Sequence, residues 1–584
     1  MNGGIKMQET RLSVEQRREA LKLAYPKWEK KTIAAHFKEQ CQHYRDYPLI
    51  MMPEDTVTYE EIWERSRRYA KAMIQLGVQP DDHVAILMEN DPDYIALFIA
   101  SSMIGAIVVP LNTQLQKEEL TYMLRQSDTN WLFLHQVANK KEHAESLKGV
   151  IATLQREADS PFKQAVCIPM KKEEAPAIYQ HWNYFIKGTE AVENVVVDQR
   201  MLETTNPDSC AAIIYTSGFT GLPKGVMLTD DMMLRSGFAT CYTRAYETGR
   251  RIYAPLPMYH VYFLQEGLFA ASFLGGGMVT CQAFQPLQSL ELMEKYNVHD
   301  FLAVPSMLVA LLNRPEIKNT KLNHLYALLC CAAPSPVPLW KRAVEELAVT
   351  EIGTGCGGTE AASTTMLTEI GDPLEIISTT VGKVKTAGVA GDPEFGDKSV
   401  TYKVIDPGSG ETLPSGSVGE LAVRGNVVTK GYYKKPEETA FAIDEEGYVR
   451  SGDLGTIDKN GYIRLLGRSK DLYKVSGETV APKEVEDVIS MHPAVNQVYI
   501  VGVPDKLTTE TGAAFIELKE GESCSKQEIR NLCRERVARF KIPRHIWFVE
   551  ASEWPLTGTG KIQKFKLQAI AEERLKKVKQ SGTK

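Results

Sequence analysis

Tyr215-Thr216-Ser217-Gly218-Phe219-Thr220-Gly221-Leu222-Pro223-Lys224-Gly225 follows a short apolar run, Ala211 to Ile214, that reads as a buried strand. Hydroxyls, glycines and a lysine are gathered into one loop. Glycines let backbone N–H groups approach an anion, hydroxyls donate hydrogen bonds, and the lysine adds charge, so the composition suits a loop wrapping a polyphosphate. No Gly-Lys-[Ser/Thr] triplet closes it, which excludes a Walker A loop.

Outward from this loop the chain alternates strand and helix. Strand-like Thr56 to Tyr59 leads into an amphipathic helix through Leu76, stopped by Gly77. His83 to Met88, Ile107 to Val109 and Trp131 to Leu134 read as strands separated by helices that start at Pro92 and Lys117. The pattern returns at Ser209 to Tyr215, Ile252 to Tyr253 and Phe301 to Val304. Such alternation predicts parallel βαβ units. Beyond residue 375 the chain becomes strand-rich, as in Val400 to Asp406 and Gly419 to Arg424. A polar junction at Gly467 to Asp471 then precedes a domain-sized unit of about 115 residues. The expected division is a helical extension over 1–45, a large domain over 46–469 and a small α+β domain over 470–584. Ser13 and Gln16 stand at capping-box spacing at the head of the extension. The last ten residues read as a frayed basic tail.

A chain of 584 residues is too long for one core. Its net charge of −6 argues against a nucleic-acid binder, whose footprint would be basic. Ten cysteines without a CxxC pair or metal-ligand spacing fit a reducing, cytoplasmic setting. The stretch Tyr94 to Leu111 carries no charge, but Ser101, Ser102 and Gly105 interrupt it, so a buried helix running into a strand is expected rather than a membrane span. Transient contact of the basic tail with a membrane surface stays open, as does oligomeric state.

Several motifs, in order, carry a resemblance. The loop at 215–225 resembles the phosphate loop of the adenylate-forming superfamily of acyl-CoA synthetases, luciferases and adenylation domains, with Phe219 replacing a hydroxyl. Gly355-Cys356-Gly357-Gly358-Thr359-Glu360 resembles that family's aromatic-Gly-x-Thr-Glu motif, with Cys356 at the aromatic position. Gly353, Gly355 and Gly358 formally spell GxGxxG, but without the compact βαβ unit and acidic ribose ligand of a dinucleotide fingerprint. Ala332-Ala333-Pro334 is similar to the family's adenine-flanking loop. Ser451-Gly452-Asp453-Leu454, placed at a strand end, and Arg468 resemble its ribose and phosphate ligands. Lys561, in Pro555-Leu556-Thr557-Gly558-Thr559-Gly560-Lys561-Ile562, resembles its C-terminal lysine.

The resemblance implies a carboxylic acid–coenzyme A ligase using ATP and Mg²⁺. Thr216, Ser217, Gly218, Thr220, Gly221 and Lys224 would cradle phosphates, with Gly357 and Thr359 lining the nucleotide. Thr216 and Glu360 would hold Mg²⁺, a hard cation that takes oxygen ligands. Lys561, His260, Glu360 and Thr216 form the expected catalytic set. After adenylation the small domain would turn about Lys470, withdraw Lys561 and present Lys474, Ser476 and Gly477 to the thiol. A carrier-protein acceptor remains an alternative to coenzyme A.

Pro257-Met258-Tyr259-His260-Val261-Tyr262 resembles the segment at the carboxylate end of the acyl pocket. It has no aspartate for a substrate ammonium, and Val261 cannot pair a cation. Tyr262, Phe263 and Leu264 suit an apolar acyl group, which points to a medium- or long-chain fatty acid, with an aryl or arylpropenoic acid as the alternative. Gln265 and Glu266 are expected on the helix's outer face, or else they read a polar group on the substrate.

Overall fold

In the computed structural model, the described residues are 11–169, 176–187, 189, 192–216, 222–331, 335–468, 471–476, 478–505, 507–556 and 562–581. Two seven-stranded sheets organise the large domain. In one, the strands Gln180–His181, Gln164–Ile168, Trp131–His135, His83–Leu87, Ile107–Pro110 and Cys210–Thr216 run parallel, and Lys224–Thr229 closes the edge antiparallel. In the other, Glu351–Gly353, Ala327–Cys330, Asp300–Ala303, Arg251–Tyr253, Gly277–Val279 and Pro48–Met51 are parallel, with Thr56–Thr58 antiparallel at the edge. In both sheets five parallel strands, taken in chain order, lie side by side as 5-4-3-1-2 and a further antiparallel pair extends the edge, but that pair comes last in the chain in the first sheet and first in the second. No sequence repeat announces this duplication.

Each sheet is buried on both faces, as parallel sheets require. Along His83–Leu87, Val84 and Ile86 join the central apolar cluster while Ala85 and Leu87 join an outer one. Along Asp300–Ala303, Leu302 points inward and Phe301 and Ala303 outward. The helices Tyr59–Leu76, Pro92–Met103 and Asp230–Thr243 contribute to that central cluster between the sheets. The result is a layered α/β domain, as the alternation predicts. The uncharged Tyr94 to Leu111 stretch is a buried helix and a buried strand. Among the described residues no helix is long and apolar enough to cross a membrane.

The N-terminal helices, Val14–Ala24 and Ile33–Tyr44, are woven into this core rather than laid upon it. The capping box of Ser13 and Gln16 is formed. Arg17 is 2% exposed and reaches the Ala245 carbonyl (2.8 Å) and the Glu351 carboxylate. Nearby, Asp300 is fully buried between two guanidiniums: Arg244 Nη2 donates to it at 2.8 Å and Arg250 Nε at 3.1 Å. Burial alone would raise the Asp300 carboxyl, but the two arginines hold it below its ordinary range.

A four-stranded antiparallel sheet follows (Val400–Ile405, Gly419–Gly425, Val449–Ile457, Ile463–Arg468), the expected β-rich subdomain. The last unit has its own five-stranded sheet, with helices Pro482–Ile489 and Lys526–Arg536 on one apolar cluster and Lys564–Ser581 on another. The tail departs from expectation. Helix Lys564–Ser581 continues through most of the last ten residues, because Leu567 and Ala571 dock it against the sheet.

Candidate active site

Ligands of open α/β sheets bind outside the carboxyl ends of the strands. Those ends carry the motifs here. Thr216 is the last residue of its strand, and it pairs with Lys224 at the head of the returning strand. The residues on either side of the candidate phosphate loop are therefore paired antiparallel. The Thr216 hydroxyl donates to the Lys224 carbonyl at 3.5 Å. Ser217, Gly218, Thr220 and Gly221 lie outside the described residues, as do Ala332, Ala333 and Pro334.

Lys224 Nζ stands 4.0 Å from the centroid of the Tyr432 ring, a cation–π contact. The Tyr432 hydroxyl donates to Glu360 Oε1 at 3.0 Å. The two elements are stitched together by backbone: Thr429 N donates to the Glu360 carbonyl (2.7 Å), Tyr433 N to the Gly225 carbonyl (2.8 Å), and Val226 bridges Tyr432. Tyr432 thus joins the candidate site, a residue that motif reading passed over. Changing it to Phe removes the hydrogen bond while keeping the ring beside Lys224. Adenylation is expected to fall roughly tenfold, the worth of one hydrogen bond to a charged group, with a melting temperature near native. Unchanged pyrophosphate release would remove Tyr432 from the site.

Glu360 lies in a single 3₁₀ turn, Thr359–Ala361, after the strand Gly355–Gly358, which carries Cys356 and Gly357. That strand pairs antiparallel with Ser363–Leu367, so Gly355 and Gly358 belong to a β-hairpin, while Gly353 ends the strand Glu351–Gly353 of the seven-stranded sheet. Only glycine fits at 357: a Cβ there would lie 1.9 Å from the Ser363 carbonyl oxygen.

Asp453 sits within the strand Val449–Ile457, not at a strand end as expected, because the chain passes Gly452 in a left-handed conformation (φ 71°) and continues pairing. Its partner across the ladder is Arg468, whose Nε is 2.8 Å from Asp453 Oδ1. Arg468 Nη1 also donates to the Ser451 carbonyl at 3.0 Å. Burial works against the guanidinium's charge, yet the carboxylates of Asp453, Glu360 and Asp471 favour it and shift the group upward. Both nucleotide motifs therefore share one electrostatic neighbourhood.

The segment after Met258 enters a π-helix, Tyr262–Phe269. His260 Nδ1 accepts from the Tyr262 N–H (3.1 Å), which puts the neutral ring's proton on Nε2. Tyr262 is a peg: its hydroxyl lies 3.2 Å from the Ala303 carbonyl and 3.0 Å from that of Leu329, at the carboxyl ends of two strands. Phe263 and Leu264 are fully buried. The outer-face expectation for Gln265 and Glu266 fails, since both are 0% exposed. Glu266 accepts from Thr240 Oγ1 (2.6 Å), the Thr364 N–H (3.1 Å) and hydroxyl, and Lys385 Nζ (3.4 Å). Burial would raise its carboxyl, but Lys385 and the two threonines keep it below the usual range.

In the small unit, Tyr473–Val475 and Glu478–Val480 form a tight hairpin carrying Lys474, with Ser476 at φ 53° in its turn. Gly477 and Lys470 lie outside the described residues. So does Lys561, but its loop is clipped at both ends: Leu556 bridges Ile562, and Gln563 N donates to the Pro555 carbonyl at 2.8 Å. Just beyond, Lys564 Nζ contacts Glu486 at 2.8 Å and Asp471 at 3.9 Å, linking this loop's base to the domain junction.

Residues 37–433 match the family model described as AMP-binding enzyme, and residues 484–561 match AMP-binding enzyme C-terminal domain. The putative acyl-CoA synthetase YngI of Bacillus subtilis (strain 168) is 31% identical over 548 residues, covering 92% of this chain and 96% of that one. The medium-chain acyl-CoA ligase ACSF2, mitochondrial, of Danio rerio is 25% identical (93% and 89% covered). The 4-coumarate–CoA ligase CCL1 of Humulus lupulus is 27% identical (91% and 92% covered). Among solved structures, ATP-bound MatB from Rhodopseudomonas palustris shares the fold at TM-score 0.78 and 24% identity, covering 92% of this chain and 98% of that one. The chain belongs to the AMP-binding, adenylate-forming family of enzymes and is an acid–thiol ligase of the acyl-CoA synthetase type.

Proposed function

We propose that this ligase activates a largely apolar carboxylic acid, a medium- or long-chain fatty acid first, and passes the acyl group to coenzyme A. The observation that carries the site assignment is the joining of Lys224, Tyr432 and Glu360 on one side and Asp453 with Arg468 on the other, all around the strand Gly355–Gly358. An aryl or arylpropenoic acid is the second reading, supported by the 4-coumarate-activating relative.

In the first half-reaction a carboxylate oxygen attacks the α-phosphorus of ATP, and the bond to the β-phosphate breaks to release pyrophosphate. Negative charge grows on the α-phosphoryl oxygens, where the Lys561 ammonium and the Thr216 hydroxyl would stabilise it. His260, donating through Nε2, would orient the carboxylate. Asp453 would accept both ribose hydroxyls, a task for an ionised carboxylate. In the second half-reaction the thiol sulfur attacks the acyl carbon, its proton leaves to solvent, and the C–O bond to AMP breaks.

The residues present fit Mg²⁺. Tyr432 occupies only one oxygen of Glu360, and Thr216 adds a hydroxyl. Among the described residues no three His, Cys, Asp or Glu side chains form a metal cage. That suits an ion held chiefly by phosphate oxygens and water. When bound, Mg²⁺ would neutralise charge on the triphosphate.

The reading is tested by acid-dependent exchange of labelled pyrophosphate into ATP without coenzyme A, across fatty and aryl acids. Exchange with decanoate-like acids is expected. Exchange with aryl acids alone would replace the fatty-acid assignment.

A further inference from the structure

The hairpin that carries Glu360 is strained at its tip and irregular along its ladder. Ala362 (φ 52°) and Ser363 (φ 112°) are consecutive non-glycine residues with positive φ. Just beyond them the register slips. Cys356 faces Met366 and Gly357 faces Thr364, so Thr365 is an extra residue, a β-bulge. Backbone of this kind persists only where its surroundings over-determine it.

The surroundings act at these very residues. Ser236, on the helix Asp230–Thr243, donates to the Ala362 carbonyl at 2.8 Å. The Thr364 N–H and hydroxyl both donate to Glu266 Oε1, the N–H at 3.1 Å. Glu266 lies in the helix Tyr262–Phe269 and is 0% exposed. Its other oxygen accepts from the Thr240 hydroxyl at 2.6 Å. Lys385 Nζ donates to Thr240 Oγ1 (2.7 Å), Thr364 Oγ1 (3.2 Å) and Glu266 Oε1 (3.4 Å), which uses all three of its protons. The carboxylate is thus held to one aim, at Thr364.

That aim points to a task. Thr364 faces Gly357 across the ladder, and the turn Thr359–Ala361, with Glu360 at its centre, joins the two strands. A shift of the Thr364 backbone would carry the turn and the Glu360 carboxylate with it.

We propose that Glu266 is a positioning residue for adenylation: by taking the Thr364 N–H it fixes the hairpin on which Thr359 and Glu360 meet the nucleotide, while Lys385 and Thr240 aim it. The inference rests on the ligase reading above and adds a residue that acts through the hairpin.

Two double variants separate this role from that of a buried ion pair. Glu266→Gln with Lys385→Met, and Glu266→Met with Lys385→Met, each remove both charges together, so neither strands a buried ion. Only the glutamine keeps an oxygen for the Thr364 N–H, and its amide nitrogen can donate to Thr240. Deuterium exchange over residues 355–367 of the ligand-free enzyme, measured by mass spectrometry, reads the hairpin itself. Pyrophosphate release gives kcat and the KM values for ATP and acid. The Glu266→Met pair should exchange faster over 355–367 and lose at least roughly tenfold in kcat/KM for ATP, about 10²-fold being the scale of a 1 Å misplacement. Its KM for the acid should stay native. The Glu266→Gln pair should stay close to native in both readouts.

Equal behaviour of the two pairs overturns the proposal, as does a Glu266→Met loss that falls on the KM for the acid. Should the Glu266→Met pair not fold, Thr240→Val carries the test, since it removes the hydroxyl that aims the carboxylate. Faster exchange over 355–367 with a lower kcat/KM for ATP is then expected, and native values in both would overturn the proposal. No acid-dependent release from the native enzyme would bring down the ligase reading and this inference with it, a result distinct from equal variants of an active enzyme.

Discussion

Lys561→Ala is expected to slow adenylation by roughly 10²–10³-fold, the range typical of losing one pre-placed charge contact in a transition state. The same variant should form thioester from supplied acyl-AMP at nearly the native rate. The asymmetry follows from the chemistry. Negative charge accumulates on the α-phosphoryl oxygens only in the first half-reaction, and the second needs AMP as leaving group with the thiol in place. The residues flanking Lys561's loop, Leu556 and Ile562, are bridged to each other. The measurement is paired: single-turnover pyrophosphate release from ATP and acid, then thioester formation from synthetic acyl-AMP and coenzyme A. Equal losses in both would sink the assignment of Lys561 to one step.

The second large effect concerns stability. Asp300→Ala should destabilise the large domain by about 3–5 kcal/mol, because it strands charges that burial cannot tolerate alone. Asp300 is fully buried, and both Arg244 and Arg250 depend on it. Arg17 from the N-terminal helix enters the same neighbourhood through Glu351 and Glu247. Denaturant unfolding of native and variant enzyme measures the loss. A difference under about 1 kcal/mol would mean that the arginines find other partners or water, and that the cluster does not lock the N-terminal helices to the core.

Much of the architecture was legible because it is local. Buried parallel strands are short apolar runs, and their helices carry a clear period; both survive in a single sequence. The nucleotide motifs were legible for the same reason, each being a few consecutive residues. The misjudged positions depend on long-range geometry. Gln265 and Glu266 were expected on an outer face or against a polar group of the substrate, but every residue of the helix Tyr262–Phe269 is buried, so the helix has no outer face. Glu266's partners come from positions 240, 364 and 385, and no local pattern connects them. Asp453 was placed at a strand end because Gly-Asp usually marks a turn. A left-handed Gly452 instead lets the ladder continue to Arg468. Tyr432 was not singled out, since its bridge to Val226 and its hydrogen bond to Glu360 join segments far apart in the chain.

The central claim is that the acid is activated as an acyl-adenylate. It is tested most directly by supplying the acid with oxygen-18 in its carboxylate, together with ATP, Mg²⁺ and coenzyme A, and weighing the products. Attack on the α-phosphorus predicts one heavy oxygen in AMP, none in pyrophosphate, and the remaining label in the thioester. Label in inorganic phosphate with ADP as co-product would contradict the account, because the acid would then have been activated at the γ-phosphate.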